Sequence, residues 1–244
     1  MKTLKSFLNE EIANINHWKH VAGTQMGSNE GGIHHNEKGV KHYVKVAKNP
    51  EQARQEVASA KIHELLGVKT LRPQLINKGG KTGTATEFRD DLESKPAAHF
   101  KKMSEDQARS IMRIHHAGVI TKNWDTVGLE HDNIMFHKQT GEPHAVDQGG
   151  SFNFRAQGGH KDYGPDVGEL HSYRDKTLNS TAAHVFGHID KKYPHVAKQE
   201  LTHAAKLNYN DVHHALHSAG VANAETMAKT VIARRDLLLK HYGN

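Results

Sequence analysis

The sequence predicts an α+β fold in two lobes, a small β-rich N-lobe followed by a mostly helical C-lobe. Residues 40–47 and 71–88 have strand-like patterns, whereas helical periodicity dominates the chain after residue 104. A polar break at 89–96 separates the two kinds of pattern. We therefore expect an N-lobe at 1–89 and a C-lobe at 90–244.

The composition is that of a polar globular protein of 244 residues, with 36% hydrophobic residues, a net charge of +6 and no cysteine. Disulfides and cysteine-based metal sites are therefore excluded. The positive charge favours anionic ligands such as nucleotides, but Lys and Arg are scattered, so no nucleic-acid partner is expected. The 22 His residues form no H-E-x-x-H motif and are interpreted mostly as surface residues.

The N-terminal sequence MKTLKSFLNEEIANINHWKH lacks the long apolar core of a signal peptide. No stretch of the chain approaches the roughly 18 apolar residues of a membrane span. We therefore expect a cytoplasmic protein without a membrane partner.

A glycine-rich segment at 23–32 follows a predicted first helix over 4–21. Glycine lets backbone N–H groups approach a ligand closely, and phosphate is the usual ligand; a plain flexible hairpin loop is the alternative. Residues 40–47 alternate as a strand, with Lys45 on the face opposite Val44. A lysine there could reach phosphates that the loop covers, although a solvent-facing lysine on an edge strand is the alternative interpretation.

A helix is predicted to begin at Asn49, which can cap it, and to run to about Leu66. Glu56 lies outside the apolar face of this helix and could pair with Lys45 across a cleft. Glu51 is the alternative partner for Lys45. The buried face of this helix is expected to consist of apolar residues one turn apart: Ala58, Ile62, Leu65 and Leu66. A hairpin then completes a small sheet with the strand of Lys45.

The segment at 123–151 contains the candidate chemistry. An acid-rich loop from Asp125 to Asn133 is followed by two short apolar runs and a lone acid, Asp147. Two strands would deliver Asn133 and Asp147 to the same end, where their oxygens could bind a metal and a phosphate. The irregular segment at 152–168 is of the kind that carries substrate contacts.

Helices account for most of the predicted C-lobe. Ser104 and Gln107 form a capping box for a helix that ends at Gly118. Four further helices are predicted near the C-terminus, at 180–189, 194–206, 209–218 and 223–242. Their core candidates are apolar: Leu201, Leu207, Leu216 and Val221.

The order of these parts, from glycine-rich loop to strand lysine, helix glutamate, acid-rich loop and lone aspartate, resembles a protein-kinase-like phosphotransferase. The resemblance spans residues 25–175 and is closest to the HipA-type and actin-fragmin-kinase-type families of bacteria and phages. Its runs are GSNEGG, YVKV, NPEQARQEV, NWDTVGLEHDNIM and DQGGSFNFRAQGG. The resemblance implies a two-lobed protein-kinase-like fold and an ATP- and Mg²⁺-dependent kinase that acts on a protein Ser or Thr.

The resemblance also implies which residues bind the nucleotide. Lys45 would contact the phosphates and pair with Glu56, and the backbone near Glu87 and Phe88 would meet the adenine. The residues that would cover the phosphates come from the glycine-rich loop: Gly27, Ser28, Asn29, Gly31 and Gly32.

On the catalytic side, the resemblance implies that Asp125 orients or deprotonates the attacking hydroxyl and that Asn133 and Asp147 hold Mg²⁺. The kinase loop H-R-D-L-x-x-x-N places Asp and Asn five residues apart, whereas Asp125 and Asn133 are eight apart. Either this loop is longer by three residues, which we favour, or Asp132 acts instead. Asp147-Gln148-Gly149 replaces D-F-G, and no A-P-E motif follows.

Two other functions fit the same residues. A kinase-fold enzyme could transfer AMP to a hydroxyl, in which case the α-phosphate rather than the γ-phosphate would reach the product. A non-catalytic pseudokinase or binding module of a phage or bacterial assembly would bind its partner without ATP.

Overall fold

The computed structural model describes residues 12–25 and 30–243. Within these residues a six-stranded sheet has the order β1-β5-β6-β4-β3-β2, with β1 parallel to β5 and the other pairs antiparallel. Helix α1 (Pro50–Leu65) connects β4 to β5. The strands are β1 (Ala13–Asn14), β2 (Lys19–His20), β3 (Gly31–His35), β4 (Lys41–Val46), β5 (Gln74–Lys78) and β6 (Lys81–Glu87).

The C-terminal part of the described chain is mainly helical and begins with a small antiparallel sheet. That sheet consists of β7 (Leu92–Ser94), β8 (Ile134–His137) and β9 (Pro143–Ala145). The helices are α2 (Ala97–Phe100), α3 (Glu105–Thr121), α4 (Glu169–Ser172), α5 (Ser180–Lys192), α6 (Val196–Gln199), α7 (Leu201–Lys206), α8 (Tyr209–Ser218) and α9 (Ala224–Gly243). Across the described ranges, no helix has the length and apolar character needed to cross a membrane.

The predicted α+β class is confirmed, since a curled sheet precedes a helical C-terminal part. The predicted first helix at 4–21 is wrong over 12–20, where β1 and β2 form instead; the remainder of that prediction lies outside the described residues. The strands form because β1 extends the sheet edge beside β5 and buries Ile15 against Val44 and Ile76. Tertiary packing therefore overrides the helical spacing of the apolar residues.

Helix α3 is capped by Ser104 and Gln107 as predicted, but it continues past Gly118 to Thr121. A Cβ added to Gly118 would lie 2.3 Å from the Thr126 hydroxyl, so glycine here permits close packing of the following loop. Lys122, which has a left-handed φ of 54°, caps the C-terminal end of the helix in place of Gly118.

Helix α1 is enclosed between the sheet and the C-terminal helices. Asn49 caps its N-terminus by accepting a hydrogen bond from the Glu51 backbone. Ala58, Ile62 and Leu66 are buried as expected, but Leu65 is 40% exposed because only the other side of the last turn faces the core. Each fully buried large apolar side chain stabilises the fold by about 1.5–3 kcal/mol. This burial fixes α1, and with it Glu56, relative to the rest of the chain.

The predicted helix at 194–206 is divided into α6 and α7 around Glu200. The other C-terminal helices lie close to their predicted ranges, with α8 at the predicted residues. The four core candidates on and between these helices are all buried: Leu201, Leu207, Leu216 and Val221.

Candidate active site

Three charged residues from distant parts of the chain meet beside the sheet, and we call them the nucleotide-side cluster: Lys45, Glu56 and Asp147. Lys45 Nζ lies 2.5 Å from Glu56 Oε1 and 2.9 Å from Asp147 Oδ1. Lys45 belongs to β4, Glu56 to α1, and Asp147 follows β9, 102 residues after the lysine. One ammonium is therefore held between two carboxylates.

The charges of this cluster stabilise one another. Burial opposes ionisation of Lys45, but Asp147 and Glu56 raise its pKa above the ordinary value. Burial raises the pKa of Glu56, which the ammonium counteracts. Burial also acts against the Asp147 carboxylate, yet Lys45 and the Gly149 backbone N–H lower its pKa overall. Lys45 therefore stays charged, and Asp147 keeps a negative charge that can face a cation.

Glu51, the rival partner for Lys45, is turned elsewhere. Its carboxylate accepts from the Ala222 backbone N–H at 3.0 Å and lies 3.5 Å from Arg54. A small cavity of about 10 Å³ is lined by Lys45, Asp147 and Ala156, among other residues. Such a volume holds about one water molecule.

The end of the predicted glycine-rich loop is a strand. Gly31 and Gly32 open β3, where Gly31 is paired with Lys45 in the sheet register. A Cβ on Gly31 would lie 2.0 Å from the Val44 carbonyl oxygen, so the two strands need glycine for their close approach. The other loop residues predicted to cover phosphates lie outside the described residues: Gly27, Ser28 and Asn29.

Glu87 is the last residue of β6, an internal strand of the sheet, and Phe88 follows it. Lys45 is paired with Thr84 across the strands, and side chains alternate along a strand, so the Glu87 side chain is on the opposite sheet face from Lys45. There it lines a groove of about 770 Å³ together with Arg89. At Glu87 the backbone, and not the side chain, is therefore available to meet a base on the Lys45 side.

The second part of the site is the acceptor-side loop, residues 123–133. Asn123 organises it by accepting from the Asp125 backbone N–H at 3.1 Å. Asn133 Nδ2 donates to the Asp125 carbonyl oxygen at 2.7 Å. The Asn133 carbonyl in turn accepts from Val146 N at 3.0 Å, so the loop is fastened next to Asp147. These backbone bonds connect Asn133 to Asp125 and to the residue before Asp147.

Asp125 carries the most perturbed carboxylate of this loop. Burial raises its pKa to about 6, with a further contribution from the charge of Asp147, while Asn133 and Lys161 act in the opposite direction. A carboxylate with such a pKa is ionised at neutral pH, yet it accepts a proton more readily than an exposed one. This property suits a group that receives the proton of an attacking hydroxyl.

Asp132 faces its own loop. Its Oδ1 atom accepts from the Glu130 backbone N–H at 3.4 Å and approaches Gly128 so closely that a Cβ there would lie 2.2 Å away. Gly128 has a φ of +81°, which allows the tight turn through the three extra residues. The geometry favours Asp125 over Asp132 as the group near Asp147.

Asn133 and Asp147 also fit a divalent cation. The Asn133 amide nitrogen is engaged, which leaves its Oδ1 oxygen as the available ligand, and the Asp147 side chain is 47% exposed. Mg²⁺ binds through one or two protein oxygens, with waters and substrate phosphates completing its shell. Residues 12–25 and 30–243 contain no cluster of three or more His, Asp or Glu residues that could hold a metal by themselves.

Sequence reasoning missed several residues that hold the site together. Gln52 donates to the carbonyl oxygens of Gly149 and Arg155 at 3.3 and 3.4 Å, and Gln55 accepts from Asn153 N at 3.1 Å. These bonds fasten α1 to the segment after Asp147. Because the partners are mainly backbone atoms, no residue-type signal in the sequence marks them.

Comparison with known proteins shows the protein-kinase-like fold. The Helicobacter pylori proinflammatory kinase CtkA superposes with a TM-score of 0.55 at 9% identity, covering 94% of each chain. A weaker likeness is to a Shewanella oneidensis structure of the toxin–antitoxin system HipA, HipB and its operator DNA, with a TM-score of 0.42 at 9% identity, covering 88% of this chain and 68% of that one. An aminoglycoside phosphotransferase of Alicyclobacillus acidocaldarius gives a TM-score of 0.39 at 12% identity, covering 92% and 94%. No protein-family model and no curated protein sequence matches the chain.

Proposed function

We propose that this protein is an ATP- and Mg²⁺-dependent kinase that transfers the γ-phosphoryl group to a hydroxyl, with a protein Ser or Thr as acceptor. The observation that carries the proposal is the nucleotide-side cluster, Lys45 between Glu56 and Asp147, next to Asp125 and Asn133. In a protein-kinase-like fold this arrangement supports Lys45 as the phosphate-binding cation, Asn133 and Asp147 as the metal ligands and Asp125 as the proton acceptor. We propose the division into lobes at 1–89 and 90–244.

Phosphoryl transfer needs positioning and charge neutralisation more than covalent chemistry from the protein. Lys45 binds phosphate oxygens, and Glu56 keeps its ammonium directed toward them. Asn133 and Asp147 would hold Mg²⁺, which neutralises charge on the β- and γ-phosphates when it is bound. Asp125 orients the acceptor hydroxyl and takes its proton.

The nucleotide base would lie along the backbone of Glu87 and Phe88. The register of β3 against β4 supports a phosphate-covering role for the glycine-rich loop, because Gly31 is opposite Lys45. Gly27, Ser28, Asn29 and Gly32 would complete that cover.

The test uses ATP labelled at either the γ- or the α-phosphate and compares the wild type with Asp147→Ala and Asp125→Ala. Asp236→Ala is the control, since Asp236 is an exposed residue of α9 that pairs with Arg235. We expect γ-label on Ser or Thr with the wild type and the control, and almost none with the two site variants. Transfer of α-label would indicate AMP transfer, and equal labelling by all four proteins would refute the site.

A further inference from the structure

Lys161 is a buried lysine that no part of the proposed function uses so far; it is 8% exposed. Its Nζ atom donates to the carbonyl oxygens of Lys122 and Gly150, each at 2.5 Å. It also lies 5.0 Å from the centre of the Trp124 ring. The ammonium therefore joins two stretches of chain that are far apart in sequence.

Each carbonyl belongs to a different part of the site. Lys122 immediately precedes the acceptor-side loop, and Gly150 follows Asp147 by three residues. A Cβ on Gly150 would lie 3.5 Å from Asp125 Cβ and 2.8 Å from Asn123 Oδ1, so the two stretches are in close contact there. Within the described ranges, no loop backbone N–H donates to either carbonyl. Lys161 is thus the group that satisfies both.

The segment that carries Lys161 is held by hydrogen bonds to several other parts of the chain. Its backbone N–H donates to the Asn153 carbonyl at 2.9 Å. Two residues later, the Tyr163 hydroxyl donates to the Ile120 carbonyl of α3 at 2.8 Å. Arg234 of α9, which is fully buried, donates to the Gly164 carbonyl at 2.8 Å. A side chain anchored in this way can fix the position of what it binds.

We propose that Lys161 is a positioning residue of the phosphotransfer site, which clamps the loop that carries Asp125 to the loop that carries Asp147. The inference rests on the proposed kinase function for its catalytic consequence, but the clamp itself is a structural claim. Lys161 acts through these two aspartates and needs no contact with substrate.

An amine suits this role better than other side chains, because it has several N–H donors at the end of a long flexible stem. Burial lowers the pKa of Lys161 to about 7, although the charge of Glu169 opposes the shift. A neutral amine still has two N–H groups, one for each carbonyl, so the clamp does not depend on the charge. Methionine, of similar length, would leave both buried carbonyls without a donor.

The test compares Lys161→Met and Lys161→Arg with a matched control, Lys192→Met. Lys192, on α5, also donates to a backbone carbonyl, that of Met103 at 2.9 Å, and lies 5.0 Å from the Tyr193 ring. We expect Lys161→Met to lower kcat about 100-fold, the effect of a misplacement of about 1 Å. The KM for ATP should change by less than about twofold, and Lys161→Arg should recover part of kcat.

A second readout does not need activity. Amide hydrogen exchange should become faster in Lys161→Met at 122–126 and at 148–152, while α1 keeps its protection. Lys192→Met should leave both segments and kcat unchanged. If Lys161→Met does not fold, Lys161→Gln replaces it, since the amide keeps donors for one carbonyl.

Unchanged exchange in both segments of the folded variant would overturn the clamp, whatever happens to kcat. Faster exchange with an unchanged kcat would overturn the positioning role. A wild-type protein that transfers no phosphate would refute the kinase proposal instead, and the exchange experiment would still decide whether Lys161 joins the two loops.

Discussion

The two parts of the site are held in different ways. In the nucleotide-side cluster the functional side chains bind one another directly, since Lys45 is paired with both Glu56 and Asp147. In the acceptor-side loop the backbone is tied down, whereas the Asp125 carboxylate stays poorly solvated and has a raised pKa. In the proposed kinase, the first part would bind charged groups and the second would move a proton.

The largest effect is expected on the acceptor side. Asp125→Asn should lower kcat about 1000-fold, because it removes the proton acceptor while it keeps the size of the side chain. Asp132→Asn is the matched control and should change kcat by less than about fivefold, since Asp132 faces its own loop. Steady-state kinetics and a nucleotide-binding titration check both variants. A large loss of kcat in Asp132→Asn alone would mean that Asp132, and not Asp125, is the proton acceptor.

Glu56→Gln tests the nucleotide side. The neutral amide can still accept a hydrogen bond from Lys45 but cannot form the ion pair, so we expect kcat/KM for ATP to fall about 100-fold. Glu51→Gln changes a carboxylate of the same helix that binds the Ala222 backbone and Arg54 instead. It should leave kcat/KM close to that of the wild type. Equal losses in the two variants would mean that α1 as a whole, rather than the Lys45–Glu56 pair, is responsible.

The residues of the nucleotide-side cluster could be predicted from the sequence more easily than the residues that hold the site in position. Lys45 is a charged residue within an alternating strand, and Glu56 follows a strong helix start at Asn49, so each has a local signal. Lys161 has no such signal, because it binds backbone carbonyls 39 and 11 residues away, which any residue type provides. The strands within 12–20 were missed because their short pairings depend on the sheet edge, not on local propensity.

A smaller effect, on the free energy of unfolding, is expected from His63, which lies where α1 contacts the segment after Asp147. His63 is buried, and its Nδ1 atom donates to the Ser59 carbonyl oxygen at 2.8 Å. It also lies beside the Ser59 hydroxyl, which is 2.8 Å from the Ser151 hydroxyl. Burial lowers the pKa of His63 to about 4, so the unfolded chain binds more protons below about pH 6.5. The stability from a neutral His63 is complete well above pH 6.5 and is lost as the pH falls toward 4.

At pH 5.5 this loss should be about 1.4 kcal/mol relative to pH 8 for His63 alone. Urea unfolding at the two pH values, with wild type and His63→Gln, measures it. The variant should show a pH dependence that is smaller by that amount. An identical dependence in both proteins would show that His63 is not protonated on unfolding in this range.

The smallest effect is expected where α1 is fastened to the segment after Asp147. Gln55 accepts from Asn153 N at 3.1 Å, so Gln55→Ala should cost about 1 kcal/mol of unfolding free energy. It should also lower kcat about fivefold, because Asp147 and Glu56 are then less firmly aligned. Gln107→Ala removes a comparable set of bonds, at the α3 cap and to the Gly141 carbonyl, away from the site. If Gln107→Ala loses similar stability but keeps its kcat, the fivefold effect of Gln55→Ala comes from alignment of the site. If both variants lose kcat equally, the effect comes from lower stability alone.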